Sequence, residues 1–230
     1  MSKDTIAVVF GSTGGIGSAL VEAIDRSGHF REVVGLSRRH GIHVDVEDEE
    51  AIADAAAKVA RKGPVGLAIN AVGLLHLDDL QPEKSWRSLN AAALARLLSV
   101  NAVGPALLMK HFLPLLPKDR RSVFANLSAK VGSIGDNSLG GWYGYRASKA
   151  ALNQFVRTAS IELARKNPQA ICVAVHPGTV DTDLSKPFSR KGLPVQTPAE
   201  AASQILTTIN GFTPQHNGGF FDRFGRTLPW

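Results

Sequence analysis

The feature that most constrains this chain is a short apolar segment, Thr5–Phe10, that runs straight into Gly11-Ser12-Thr13-Gly14-Gly15-Ile16-Gly17 and then into a helical pattern. An apolar run of that length closed by glycines reads as a buried strand. In Gly15–Ser27, Ala19, Leu20, Ala23 and Ile24 fall on one side at helical spacing. A strand, a glycine turn and a helix start bring backbone N–H groups and the positive helix end to one point, which suits a pyrophosphate. Glycine is needed there because a side chain would block a ligand's approach or forbid a positive φ. The spacing is GxxxGxG, and its place after the first strand makes it a candidate dinucleotide turn.

The rest of the chain alternates in the same way. Strand-like segments are read at Glu32–Ser37, Ile42–Val46, Val65–Asn70, Ser122–Leu127, Ala170–Val175 and Gly219–Asp222. Helices are read at Glu47–Lys62, Leu89–Leu116, Gly144–Lys166 and Pro198–Asn210. Alternation of this kind implies an α/β fold: a three-layer, Rossmann-like, doubly wound and mainly parallel sheet of about seven strands. No linker or repeat divides residues 1–230, so one domain is expected. One spacing is irregular. Only a few residues separate Ser37 from Ile42, whereas a parallel crossover takes a dozen or more. The third strand is vestigial or its crossover helix is missing.

Lysine and arginine exceed aspartate and glutamate, 26 against 20, but the basic residues are scattered. Without an arginine-rich helix or an aromatic stacking motif, nucleic acid is not expected as a partner. The single cysteine, Cys172, excludes an internal disulfide framework and a cysteine-rich metal site, and no metal is expected. No apolar run is read as approaching the roughly 18 residues of a membrane span, so no membrane partner is expected. Met1-Ser2-Lys3-Asp4 does not read as a secretory signal, and a cytoplasmic location is expected.

Two further groups bear on chemistry. The second strand ends at Ser37-Arg38-Arg39, where a dinucleotide fold meets the adenosine ribose. An acid there would bind the 2′-hydroxyl of NAD; arginine suits the 2′-phosphate of NADP. NADP(H) is therefore expected over NAD(H), through Arg38 with help from Arg39. Tyr145 and Lys149 stand four residues apart on one helix face. A phenol with a pKa near 10 is a poor proton carrier at neutral pH, and a neighbouring ammonium favours its ionised form. Such a pair suits proton exchange with a carbonyl or alcohol oxygen while hydride moves to or from a nicotinamide.

Taken together, Gly11, Gly15 and Gly17, Asn70-Ala71-Val72-Gly73, Asn101, Tyr145/Lys149 and Pro177-Gly178 resemble the short-chain dehydrogenase/reductases along essentially the whole chain. The segments Gly132–Asn137, Gly140–Lys149, Gly218–Asp222 and Leu228-Pro229-Trp230 resemble the branch containing C-factor-like proteins and Sniffer-type carbonyl reductases. The resemblance implies Tyr145 as acid/base, with Lys149 on the nicotinamide ribose and lowering the tyrosine pKa, and Asn101 in a proton relay. It implies contacts to the dinucleotide from Ser12, Thr13, Ile16, Asp45, Val46, Asn70 and Gly73. It also implies contacts from Pro177, Gly178, Val180 and Thr182 near the nicotinamide. A homodimer or homotetramer is implied through the Leu89–Leu116 and Gly144–Lys166 helices. A small-molecule carbonyl or alcohol would be the substrate.

The chain departs from the family at one critical position. Anchored on Gly132, Ala129 stands where the catalytic serine is expected. Ser133 and Ser128 are the two candidate substitutes, Ser133 being favoured, and a site with neither stays open. Asp183–Gln196 is expected as a substrate lid, with Lys186, Pro187, Phe188, Arg190, Lys191 and Pro194. His76 and Trp142 are further candidates to line the pocket. Two readings remain: an NADP(H)-dependent carbonyl reductase, or a dinucleotide-binding signalling or sensor protein of C-factor type with weak catalysis.

Overall fold

The computed structural model describes residues 3–77, 80–188 and 195–230. Seven strands form one all-parallel sheet: β1 (Ile6–Phe10), β2 (Glu32–Ser37), β3 (Ile42–His43), β4 (Val65–Asn70), β5 (Ser122–Leu127), β6 (Ala170–His176) and β7 (Phe220–Asp222). Their spatial order is β3-β2-β1-β4-β5-β6-β7, with every adjacent pair parallel. The helices are α1 (Gly15–Ser27), α2 (Glu49–Ala60), α3 (Ala91–Leu98), α4 (Gly104–Phe112), α5 (Tyr143–Lys166) and α6 (Pro198–Gly211).

Strand side chains alternate between two faces, and each face owns a core. Ile6, Val8 and Phe10 join a cluster with Ile52 and Val59 of α2, Leu108 and Phe112 of α4, and Leu152 and Val156 of α5. Ala7 and Val9 join the opposite cluster with Leu20 and Ile24 of α1 and Ile205 and Ile209 of α6. The near-continuous apolar runs of β1, β4, β5 and β6 follow from this covering on both sides. The strand order reverses between β1 and β4, and in open α/β sheets the ligand crevice lies at such a point, outside the carboxyl ends.

Three expectations are corrected. Ile42–Val46 shrinks to the two residues of β3, paired at Leu36–Ile42 and Ser37–His43, with no helix between β2 and β3. A tight turn replaces the crossover: Ser37 Oγ donates to His40 O at 2.7 Å and accepts the His40 N–H at 2.8 Å. Leu89–Leu116 is not one α-helix. A π turn at Ser99–Val103 separates α3 from α4, and Leu113–Leu115 is 3₁₀. The helical run Ala91–Leu115 is also long and apolar enough to cross a membrane, with mean hydropathy 1.5. Reading uninterrupted apolar stretches missed it, because Arg96, Asn101, Lys110 and His111 punctuate the run. Its inner face, including Leu97, Leu108 and Phe112, is packed in the core.

Candidate active site

The glycine turn is built as its residue types require. Gly11 has φ +73°, and its N–H donates to Leu36 O at 2.9 Å, tying the turn to β2. A Cβ on Gly17 would collide with Gly11 O, so close packing of α1 against the turn excludes any side chain there. A Cβ on Gly15 would stand 2.7 Å from the Thr182 methyl, which brings the loop after β6 onto the turn. Gly14 caps α1 without any side-chain hydrogen bond, leaving the first-turn N–H groups of Gly15, Ile16 and Gly17 unclaimed by a cap. Ser12 sits against Gly35 of β2, and Thr13 is exposed. These features fit a phosphate-bearing ligand.

The other expected dinucleotide residues ring the same edge. Arg38 is exposed at the end of β2 beside Arg39. Asp45 is half-buried and accepts the Glu47 N–H at 3.1 Å; Val46 is buried against Gly104. Asn70, fully buried, donates to Asn126 Oδ1 at 3.0 Å and accepts the Val72 N–H at 3.0 Å. Pro177 O accepts from Gln196, Gly178 has φ +82°, and Val180 is buried in a bridge to Gln196. Thr182 closes the loop through its contacts with Ser185.

Tyr145 and Lys149 lie buried in the first turns of α5, with the Lys149 ammonium 5.9 Å from the tyrosine ring centre. Lys149 Nζ donates to Leu127 O at 3.0 Å, and the open side of Gly73 faces both Lys149 Nζ and Asn101 Oδ1. Burial raises the Tyr145 phenol to about 12 and lowers the Lys149 ammonium to about 8. The lowering of the tyrosine pKa implied by the resemblance is therefore not found. The low-dielectric surroundings disfavour both charged forms. A neutral phenol beside a mostly protonated amine is the state that can donate a proton to a carbonyl oxygen.

Asn101 sits in the π turn, a type of distortion frequent at functional sites. Its Nδ2 donates to Leu74 O at 2.7 Å and Ser148 Oγ at 3.1 Å, and its Oδ1 accepts the Leu74 N–H at 2.8 Å. The side chain thus ties the loop after β4 to α5.

Ala129 clusters with Tyr145 and Leu75, so an apolar side chain stands where a hydroxyl was sought. Ser128 Oγ donates to Asn153 Oδ1 at 2.7 Å. Ser133 Oγ donates to Trp230 O at 3.3 Å and accepts the Asp136 N–H at 3.1 Å. Both candidate hydroxyls are buried and committed to other partners. Ser128 is turned toward Asn153 of α5, whereas Ala129 clusters with Leu75 and Tyr145. Trp230, far away in sequence and invisible to local reading, takes Ser133.

Over Tyr145 the aromatic residues converge. Trp142 lies 6.2 Å from the Tyr145 ring and 5.4 Å from Phe188, which lies 5.4 Å from His76. His76 Nε2 is 3.1 Å from Asp183 O, so the loops after β4 and β6 meet above the phenol. Lys186, Pro187 and Phe188 form a 3₁₀ turn; Arg190, Lys191 and Pro194 lie outside the described residues.

One contributor escaped the sequence reading. Trp142 enters α5 at φ 53° without a side-chain cap. Glu83, buried and 61 residues upstream of Gly144, supplies the cap: its carboxylate accepts the Gly144 N–H at 3.3 and 3.2 Å, and its carbonyl accepts the Trp142 N–H at 2.5 Å. A negative charge at a helix N-terminus is favourable. Only the unusual Gly140-Gly141-Trp142 entry, lacking any capping residue, hinted that a distant acceptor was needed.

The short chain dehydrogenase family model matches residues 5–192. Among curated proteins, the C-signal of Myxococcus xanthus is 35% identical over 172 residues, spanning 73% of this chain and 94% of that protein. The 1-hydroxy-2-glutathionyl-2-methyl-3-butene dehydrogenase of Rhodococcus sp. (strain AD45) is 31% identical over 188 residues, spanning 81% and 78%. Among solved structures, the carbonyl reductase Sniffer of D. melanogaster superposes with a TM-score of 0.85 at 25% identity, spanning 99% of both chains. The glycine turn at the sheet's switch point, the buried Tyr145/Lys149 pair and these matches agree: the chain belongs to the short chain dehydrogenase family.

Proposed function

We propose that this protein is an NADP(H)-dependent oxidoreductase that moves hydride between nicotinamide and a small carbonyl or alcohol, with Tyr145 as the acid/base. The observation that carries this reading is the buried Tyr145/Lys149 pair beside Gly73 and Asn101. The glycine cradle fits a pyrophosphate, and Arg38 would meet the 2′-phosphate of NADP. The bound dinucleotide would supply or accept the hydride. The chain's own part is proton handling and exclusion of water. Tyr145 donates its phenolic proton to the carbonyl oxygen during reduction and recovers it afterwards. Lys149 holds positive charge beneath the ring, and Trp142, Phe188 and His76 shield the reacting oxygen. Consumption of NADPH across a panel of aldehydes and ketones tests the reading. No turnover with any of them would refute it.

Ala129 favours attention to a second reading, a dinucleotide-binding signalling protein with weak catalysis. Without a serine at that position, Tyr145 alone meets the carbonyl oxygen unless Ser133 or Ser128 gives up its partner. Loss of one such donor costs about 10²–10³ in rate where it has been removed from a working site. Ala129→Ser should then raise turnover about tenfold, since an added hydroxyl recovers only part of a preorganised donor. An unchanged rate would mean that a different group already fills the role.

The groove of about 680 Å³ between α4 and α5, lined by Met109, Leu113, Phe155, Ala159 and Leu163, would seat a second copy of the chain. Phe155 is 40% exposed there, costly for an aromatic unless covered. Light scattering at micromolar concentration should show a dimer or tetramer. The cytoplasm is the proposed location, consistent with a lone, buried, unpaired thiol at Cys172.

A further inference from the structure

Beyond the carboxyl ends of β6 and β7 lies a second cavity, of about 380 Å³, whose lining includes Lys130, His176, Asp222, Arg223 and Arg226. Two of its three cations are balanced. Lys130 pairs with Asp136 at 3.3 Å, and Arg226 pairs with Asp222 at 2.7 Å. Asp222 is further saturated by the N–H groups of Phe224 and Arg226. Arg223 has neither a carboxylate nor a hydrogen-bond acceptor among the described residues, and its Nε is buried without a partner. In the same cavity the Nδ1 of His176 is likewise buried and unpartnered. Buried polar atoms without partners are rare in native proteins and call for an explanation.

The arrangement around Arg223 is held in place. Its guanidinium carbon lies 4.5 Å from the Phe224 ring centre. It also lies 3.0 Å from where a Cβ on Gly178 would stand, against a left-handed turn that only glycine adopts readily. The fork is therefore fixed before anything binds, which reduces the entropy cost of binding. The cavity adjoins both halves of the candidate active site. Lys130 follows Ala129, and His176 precedes Pro177-Gly178.

We propose that this cavity is a binding site for a small oxyanion, a carboxylate or phosphate group, with Arg223 as its principal ligand and Lys130 and His176 alongside. The net positive balance of the lining and the two orphaned nitrogens match a planar or tetrahedral anion, and the fork of arginine suits both. Burial keeps His176 neutral, with its pKa down to about 4, so the imidazole offers a hydrogen bond rather than a charge. The anion is either a group on the substrate or a free effector. Only the first source rests on the reductase reading.

Calorimetric titration of the whole protein with inorganic phosphate tests the site without any turnover. Binding should be saturable with a Kd on the order of 1 mM. It should weaken about tenfold or more in Arg223→Gln, as expected for losing a charged hydrogen bond. It should persist in Arg38→Asp, which removes the anion partner at the opposite end of the crevice. Absence of saturable binding, or binding lost in Arg38→Asp but kept in Arg223→Gln, overturns the proposal. Because Arg223 makes no side-chain hydrogen bond among the described residues, the variant should fold; Lys130→Gln provides a second, independent weakening. A kinetic arm identifies the source. If the anion belongs to the substrate, succinic semialdehyde should exceed butanal in kcat/KM with NADPH, and Arg223→Gln should erase the difference. If the two aldehydes react equally while phosphate binds, the site stands and its ligand is a free anion. Failure of both aldehydes to react counts against the reductase reading and leaves the phosphate result to decide the site.

Discussion

The two ends of the crevice are built by different means. The dinucleotide end is made of backbone. Gly11 to Gly17 form one contiguous stretch, shaped by local φ values and by the absence of side chains. The proposed catalytic end is made of side chains gathered from across the chain: Leu75, Glu83, Asn101, Ala129 and Tyr145 come from three connections and one helix. A contiguous backbone device tolerates little substitution but depends on few distant contacts. A gathered one can carry an apolar side chain, as at Ala129, and still keep its frame.

Four measurements test that contrast, in order of expected effect. Tyr145→Phe keeps the ring among Trp142 and Ala129 but removes the proton, so turnover should fall about 10²-fold or more. NADPH affinity should stay within about twofold, because the cradle lies elsewhere. Stopped-flow turnover with fluorescence binding measures both, and equal loss in each would merge the two ends into one unit. Arg38→Asp attacks the opposite end. It should shift preference from NADPH toward NADH by about tenfold or more, through loss of charge-assisted hydrogen bonds at an exposed site. The effect should shrink with added salt. Equal affinities for both cofactors in the parent protein would leave Arg38 a surface charge.

Glu83→Ala probes how the gathered end is held. The buried Gly144 N–H would lose its acceptor, costing about 1–3 kcal/mol. Displacement of Tyr145 should lower kcat about tenfold, since modest misplacement of a reacting group costs that much or more. KM and NADPH affinity should hold. Glu83→Gln keeps an acceptor oxygen and should restore most of kcat; a fall in melting temperature with kcat per folded molecule unchanged would make Glu83 merely structural.

The smallest effect concerns acid stability. His176 is held neutral in the fold, with its pKa lowered to about 4 by burial and by the nearby Arg223 and Lys130 cations, against Asp222. The unfolded chain therefore binds the extra proton between about pH 6.5 and 4. Stability from this residue is complete above that window and is lost as pH falls through it. Urea unfolding of His176→Gln at both ends of the window should show a flatter acid limb than the parent. Parallel limbs would mean that His176 is solvated in solution.

Local signals made the frame legible. Short apolar runs and glycine punctuation located the strands from β1 to β7, and the short spacing after Ser37 pointed to a vestigial strand or a missing crossover helix. Tyr145/Lys149 and the glycine turn were readable because each is set by spacing within one element. Ala129 was readable as a substitution, but the fate of the flanking serines was not. Ser133 meets Trp230, 97 residues away, and Ser128 meets Asn153 across two elements.

The sequence by itself determined the broad order of elements, the parallel sheet and the backbone cradle, because these follow from nearest-neighbour sterics and the alternation of strand-like and helix-like segments. Only the tertiary structure decided what surrounds each polar group. It turned Asn101 inward through a π turn, used Glu83 to cap α5, and raised Tyr145 to about 12 while lowering Lys149 to about 8. Hydrogen-bond partners and local dielectric depend on which distant segments pack together, and no spacing along the chain records that.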